Sequence, residues 1–273
     1  MISNKPNFII AGTMKSSTSA ANFNLSLHSN VYCVKPYWKK KVNEFYNIDY
    51  NELIGGLGNP NTKELDYFNQ NLNYEQGLDF YMQYFPLNKQ AIGESSPNYF
   101  YINETEHKQT ATRIKNDLPD AKIIIILRDP INRAFSHWNH LQRPNLSYGT
   151  QFKDQTFNNC TEQWGSGTNN LLQRSSYLEN LTTYRNVFGV ENIHVTTQEA
   201  IQADNLGEYN KMFTFLGVDK LDSNPGYKTI HVGEYDTDID DSSLTWLKTY
   251  FKSDVDAIKA LYPDLDYSNW NSY

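Results

Sequence analysis

The sequence predicts an α/β protein: a central parallel β-sheet with helices packed on both faces, in three layers. Three observations carry this. The run Lys122-Ile-Ile-Ile-Ile-Leu127 is apolar throughout, without the alternation of a strand that has one wet face, so both of its faces must be covered. Near the N-terminus, the apolar run Phe8 to Ala11 meets Gly12, a polar loop and then a helical segment. Helical stretches follow strand-like ones along the rest of the chain, the order of an α/β unit. At 273 residues, the chain reads as a single domain over 1–273.

Each element has a local reason. After the first strand, Ala20 to Leu27 reads as a helix and Val31 to Val34 as a short strand. Lys35 to Lys41 is a basic, aromatic patch that either holds a phosphate or lies on a solvated turn. Residues 51–62, rich in Gly and containing Pro60, form a loop. Leu78, Tyr81, Met82 and Phe85 share a helical face that Pro86 ends. Ala91 to Phe100 is extended and then turns, and His107 to Leu118 is a helix stopped by Pro119.

The Lys122 to Leu127 strand ends in Arg128-Asp129-Pro130. The chain restarts as a helix over Ile131 to Leu141, which carries Arg133, Ser136 and His137. The polar stretch Asn145 to Asn170 is a candidate lid. Leu171 to Val187 reads as an amphipathic helix, Asn192 to Thr196 as a strand, and Leu206 to Leu216 as a helix ended by Gly217. Asn224 to Tyr235 is a loop with Lys228 and His231. Asp236, Asp238, Asp240 and Asp241 lack the glycine and glutamate that a calcium loop needs at its sixth and twelfth positions, so they read as a cap for a helix over Ser242 to Ala260.

Composition narrows the function. Net charge is −7 and the pI about 5.4, which excludes a broadly basic face for nucleic acid but leaves room for a local basic cleft. Cys33 and Cys160 supply neither a disulfide framework nor metal-ligand spacing. No apolar run approaches the roughly 20 residues of a membrane span, and no leader precedes the first strand. The expectation is a soluble, cytoplasmic protein. Its 20 tyrosines serve packing first and stacking on a sugar or base second.

Three stretches can carry chemistry, each with two readings. Gly12-Thr-Met-Lys-Ser-Ser-Thr18 lies where loop amides and the first helix N–H groups converge on an anion, but it is not a Gly-x-x-x-x-Gly-Lys-Ser/Thr loop, and an ordinary polar turn also fits. Arg128 closes a buried strand at the sheet edge where α/β proteins bind ligands, and either a phosphate or Asp129 can be its partner. Lys63-Glu64 ahead of Tyr67-Phe68 is either a surface ion pair or a general base held in a dry wall.

Together these stretches resemble the sulfotransferases that use 3′-phosphoadenosine 5′-phosphosulfate, in particular the carbohydrate branch that includes the heparan sulfate enzymes. The resemblance rests on Gly12 to Thr18, on Lys63-Glu-Leu-Asp-Tyr-Phe68, on Ile92-Gly-Glu-Ser-Ser-Pro-Asn-Tyr99, and above all on Leu127-Arg-Asp-Pro-x-x-Arg-Ala-x-Ser136. It covers nearly the whole chain and implies a P-loop-like domain. It further implies that Lys15, Ser16, Ser17, Thr18 and Ser19 hold the 5′-phosphosulfate, and that Arg128 and Ser136 hold the 3′-phosphate. Tyr177 and Lys228 would be further nucleotide contacts. Glu64 would be the catalytic base and Lys15 the group that stabilises the leaving 3′,5′-ADP, with no metal.

The chain departs from the heparan-type pattern at Ser19, where an arginine is usual, at Asp66, where histidine is frequent, and at Ser95, where some relatives have lysine. Those losses and the net charge imply a neutral glycan, glycolipid or small hydroxylated metabolite as acceptor. Two rivals remain: an ATP-dependent kinase with a P-loop-like fold, and a non-catalytic nucleotide- or glycan-binding relative whose Glu64 faces away from the cleft.

Overall fold

The apolar runs become strands. In the computed structural model, which describes residues 5–34, 63–69, 71–85, 89–101, 109–143, 156–158, 171–230 and 238–273, five of them form one sheet. They are β1 (Phe8–Gly12), β2 (Val31–Cys33), β3 (Ala91–Ser95), β4 (Lys122–Leu127) and β5 (Ile193–Thr197), in the order β2-β3-β1-β4-β5. Every pairing is parallel, so all five carboxyl ends lie along one edge. The chain steps outward from β1 to β2, fills in β3, and then crosses to β4 on the other side of β1. The loops after β1 and β4 therefore open apart from each other, which makes the crevice in which open α/β sheets bind ligands.

The period-two geometry of β4 divides the core into two layers. Ile123, Ile125 and Leu127 face one cluster together with Ile9, Ala11 and Ile92, while Ile124 and Ile126 face the other with Phe8 and Ile10. Helices α1 (Thr18–Leu25), α7 (Gln198–Ala203) and α8 (Asn205–Leu216) cover the second face through Ala21, Leu25, Ile201, Met212, Phe213 and Leu216. The first face is covered by α4 (Thr110–Asp117), α5 (Pro130–Leu141), α6 (Leu178–Phe188) and α9 (Asp241–Leu261), joined by Tyr81 of α3 (Leu78–Met82). Each fully buried β4 isoleucine contributes about 1.5–3 kcal/mol relative to an exposed one.

Side-chain caps fix where α5, α8 and α9 begin. Asp129 accepts from the Asn132 amide at 2.8 Å, Asp204 from Gly207 at 2.9 Å and Asp240 from Ser243 at 2.8 Å. The capping reading of the acidic cluster thus holds for Asp240, while Asp236 lies outside the described residues. Gly217, at φ 81°, ends α8 as expected.

Other boundaries differ. The helical face predicted before Pro86 is α3, which ends at Met82, short of Phe85; a separate short helix, α2 (Asn71–Tyr74), precedes it, and Gly77 between them sits at φ 83°. The helix predicted from Leu171 begins at Leu178, after a single tight turn over Gln173–Ser175. The six-residue α7 carries too short an apolar pattern to be read from sequence. The Lys35 to Lys41 patch, the 51–62 loop, Cys160, His231 and most of 145–170 lie outside the described residues.

Candidate active site

The loop after β1 is shaped by backbone conformation. Thr13 is pinned to β4, its amide and hydroxyl both donating to the Ile126 carbonyl at 2.8 and 3.2 Å, and Thr13 Oγ1 and Ser16 Oγ share a hydrogen bond of 2.5 Å. Lys15 and Ser17 then adopt left-handed conformations, at φ 71° and 61°. Such residues at non-glycines cost on the order of 1–3 kcal/mol and turn successive amides toward one point, the geometry of an anion nest. Ser17 is the N-cap of α1 and makes no side-chain cap hydrogen bond, so no capping side chain occupies the first-turn amides. Gly12 is required by packing: a Cβ there would lie 2.4 Å from Phe100 Cβ.

Three arginines gather around this loop. Arg128 Nη1 donates to the Lys15 carbonyl at 3.1 Å, and the Tyr177 hydroxyl donates to the Arg128 carbonyl at 2.8 Å. Asp129 is not the partner of Arg128. Its buried carboxylate is taken by the Asn132 amide, the Asn271 amide and side chain, and the Tyr273 hydroxyl.

Arg133, fully buried, donates to Ser175 Oγ at 2.6 Å, to the Leu171 carbonyl at 2.5 Å and to the Met14 carbonyl at 3.5 Å. Burial lowers its pKa to about 9. Arg174 donates to Asn98 Oδ1 at 3.1 Å and lies over the Tyr101 ring. The Lys15 ammonium is pushed down to about 8 by burial, then by Arg143, Arg128 and Arg133, while Glu64 pulls it up. Within an acidic protein, the crevice is strongly positive.

Glu64 lies near enough to act on the Lys15 ammonium. Lys63 is no surface residue: its ammonium is buried, donating to the Ser95 carbonyl at 2.8 Å and to Ser95 Oγ at 3.0 Å, with Glu64 Oε1 at 3.4 Å. The Glu64 side chain retains 31% of its exposure. The surface-pair reading therefore fails, because a lysine cannot be buried without partners and Ser95 supplies them. Asp66 sits at φ 48°, takes an Asn98 Nδ2 hydrogen bond at 3.4 Å, and is raised to about 6 by burial and then by Glu64.

The remaining candidates are not all brought together: the serines and Thr18 lie at the start of α1 and Ser136 on α5, whereas Lys228 lies beside the last turns of α1. Ser16 and Thr18 are buried, and Ser17 and Ser19 half-buried, at the start of α1. Ser136 is buried on α5, one turn beyond Arg133. Lys228 is exposed; its amide donates to Asn24 Oδ1 at 2.9 Å and its ammonium lies 5.4 Å from the Phe23 ring centre. Sequence reasoning gave no role to Lys63, Glu94, Arg133, Arg143 or Arg174. Lys63, Glu94 and Arg133 carried only the signal of lying in the Lys63 to Phe68, Ile92 to Tyr99 and Leu127 to Ser136 stretches.

A parallel sheet with the Lys15 loop and Arg128 at the carboxyl ends of β1 and β4, and Glu64 acting on that lysine, defines a P-loop-like α/β domain with a positively charged crevice. The chain belongs to the Sulfotransferase family, which matches residues 6–223.

Among curated relatives, it is 31% identical over 139 residues to the membrane-associated sulfotransferase kil1 of Dictyostelium discoideum, which covers 49% of this chain and 22% of that protein. It is 26% identical over 223 residues to the mouse bifunctional heparan sulfate N-deacetylase/N-sulfotransferase 4, covering 78% of this chain and 22% of the relative. The human heparan sulfate glucosamine 3-O-sulfotransferase 3B1 is 27% identical over 55% of this chain and 37% of its own. The chain thus spans well under half the length of these relatives. Among solved structures, a sulfotransferase from Alicyclobacillus acidocaldarius aligns over 97% of this chain and 98% of its own, with a TM-score of 0.67 and 25% identity. Among the described residues, no helix is long and apolar enough to cross a membrane.

Proposed function

We propose that this protein transfers the sulfuryl group of 3′-phosphoadenosine 5′-phosphosulfate to a hydroxyl of a glycan. The observation that carries the reading is the convergence, at one sheet edge, of the Lys15 loop, Arg128 and Glu64. Two separate anion positions suit a nucleotide phosphorylated at both 3′ and 5′ ends.

Lys15, the loop amides, and Ser16, Ser17, Thr18 and Ser19 are assigned the 5′-phosphosulfate, and Arg128 with Ser136 the 3′-phosphate. Tyr177 spends its hydroxyl on the Arg128 carbonyl, so its assigned part is to set that arginine. Lys228, exposed beside Phe23, is assigned the outer edge of the nucleotide.

The chemistry is an in-line displacement. The acceptor oxygen bonds to sulfur as the bond from sulfur to the 5′-phosphate oxygen breaks, the acceptor proton passes to Glu64, and 3′,5′-ADP departs. Lys15 neutralises the charge that develops on the leaving oxygen, a role worth about 2.7–4 kcal/mol by analogy with a single oxyanion donor. The acceptor side presents Glu64 and Asp66, which suits a hydroxyl without neighbouring sulfate or carboxylate groups. Glu64 also acts electrostatically on Lys15, which argues against a non-catalytic relative with that carboxylate turned away. Family membership disfavours the kinase reading.

The test is transfer of labelled sulfate from the donor to a panel of 4-nitrophenyl glycosides. Wild type should label at least one sugar and Glu64→Gln should not. No labelling above a protein-free control would count against the reading.

A further inference from the structure

We propose that Glu94, fully buried at the end of β3, is a positioning residue for transfer: through Ser96 and Tyr99 it holds the backbone of residues 65–68 and so aims Glu64. The inference rests on the assignment of Glu64 as base.

The connections are continuous. The amides of Leu65 and Asp66 both donate to Ser96 Oγ, at 3.0 and 3.1 Å. Those of Tyr67 and Phe68 both reach the Tyr99 hydroxyl, at 2.8 and 3.5 Å. Four successive amides are thus gathered by two hydroxyls, from the residue next to Glu64 onward. Both hydroxyls spend their own protons on Glu94: Ser96 on Oε2 at 2.6 Å and Tyr99 on Oε1 at 2.8 Å. Tyr81 donates to Oε1 as well, at 2.8 Å, but its hydroxyl makes no hydrogen bond to the loop amides.

An ionised carboxylate only accepts, and this sets the direction of every bond in the network. With Glu94 as the common acceptor, Ser96 and Tyr99 must donate inward, which leaves their lone pairs for the amides. An amide side chain in the same place would turn one donor toward a hydroxyl and take a lone pair away from the loop. Burial pushes Glu94 up to about 7, and the three hydroxyl donors work against that rise, so their donation favours the ionised form. Asp66, held at φ 48°, turns the backbone sharply just past Glu64, in a conformation that an untethered loop would relax.

The experiment compares Tyr99→Phe, Tyr81→Phe, Glu94→Gln, Ser96→Ala and Ser96→Thr with Glu64→Gln. Two quantities are read: amide hydrogen exchange over 63–69, and turnover of a 4-nitrophenyl glycoside per 3′,5′-ADP-binding site. Tyr99→Phe and Tyr81→Phe each remove one hydroxyl from the same carboxylate oxygen and keep the ring, but only Tyr99 holds the loop.

The expected result is faster exchange and a loss of about tenfold or more in kcat for Tyr99→Phe, Glu94→Gln and Ser96→Ala, with 3′,5′-ADP affinity kept. Tyr81→Phe, which removes a donor from Glu94 but no partner from the loop amides, should perturb both readouts clearly less than Tyr99→Phe, and Ser96→Thr should restore what Ser96→Ala loses. Equal effects of Tyr99→Phe and Tyr81→Phe, or loosened exchange with unchanged kcat per site, would overturn the positioning role. Near-normal turnover of Glu64→Gln would instead remove the base assignment, and the positioning role with it. If Glu94→Gln does not fold, the two tyrosine variants still decide.

Discussion

With Lys15 in the proposed donor site, nucleotide binding should depend on pH. Burial and three arginines hold its ammonium down at about 8, so above that pH the empty site loses a charge that the phosphosulfate needs. Binding of 3′,5′-ADP stabilises the charged form, so affinity should fall by up to about tenfold per pH unit above 8 and binding should take up a proton there. Calorimetry at pH 8.5 in buffers of different ionisation enthalpy would show the uptake, and a pH-independent affinity would remove Lys15 from the site. For Glu64→Gln, we expect unchanged nucleotide binding with turnover down on the order of a hundredfold, measured as kcat and Kd side by side. The residue types at both positions were legible in the sequence. What was not legible was that Lys63 is buried, since that depends on Ser95, a partner 32 residues away.

Elements show the same division. The unbroken apolar run of β4 announced a central parallel strand, and the strand–loop–helix at the N-terminus announced β1, the Lys15 loop and α1, because both are local patterns. Arg133 announced nothing specific. Its role, tying Met14 of the β1 loop to Leu171 and Ser175, exists only once three distant segments meet. Gly12 is similar: the glycine is visible, but its reason is the Phe100 side chain packed against it. Gly12→Ala should therefore disturb the loop by forcing β1 and Phe100 apart, lowering Tm and weakening 3′,5′-ADP together. A variant that binds the nucleotide normally would show that the loop tolerates the shift.

At the scale of the whole molecule, a net charge of −7 hides a cleft in which Lys15, Arg128, Arg133 and Arg143 act on one another. The buried acid Glu94 has a stability signature of its own. Its carboxyl is raised from 4.5 to about 7, so between those values the folded chain holds a proton that the unfolded chain has released. The stability of wild type relative to Glu94→Gln should then fall as pH rises from 4.5 to about 7 and level off above, as read by denaturant titration at each pH. A constant difference would mean that Glu94 does not titrate in that window.

We propose above all that the crevice binds a nucleotide carrying both a 3′ and a 5′ anion. That binding is tested most directly by thermal stability with 3′,5′-ADP, ADP and ATP at equal concentrations, for wild type and Arg128→Ala. A ligand at 100 times its dissociation constant adds about 2.7 kcal/mol, a shift of several degrees. Wild type should be stabilised selectively by 3′,5′-ADP, with the selectivity over ADP lost in Arg128→Ala. Stabilisation by ATP alone, or an equal loss of 3′,5′-ADP and ADP binding in the variant, would contradict that proposal.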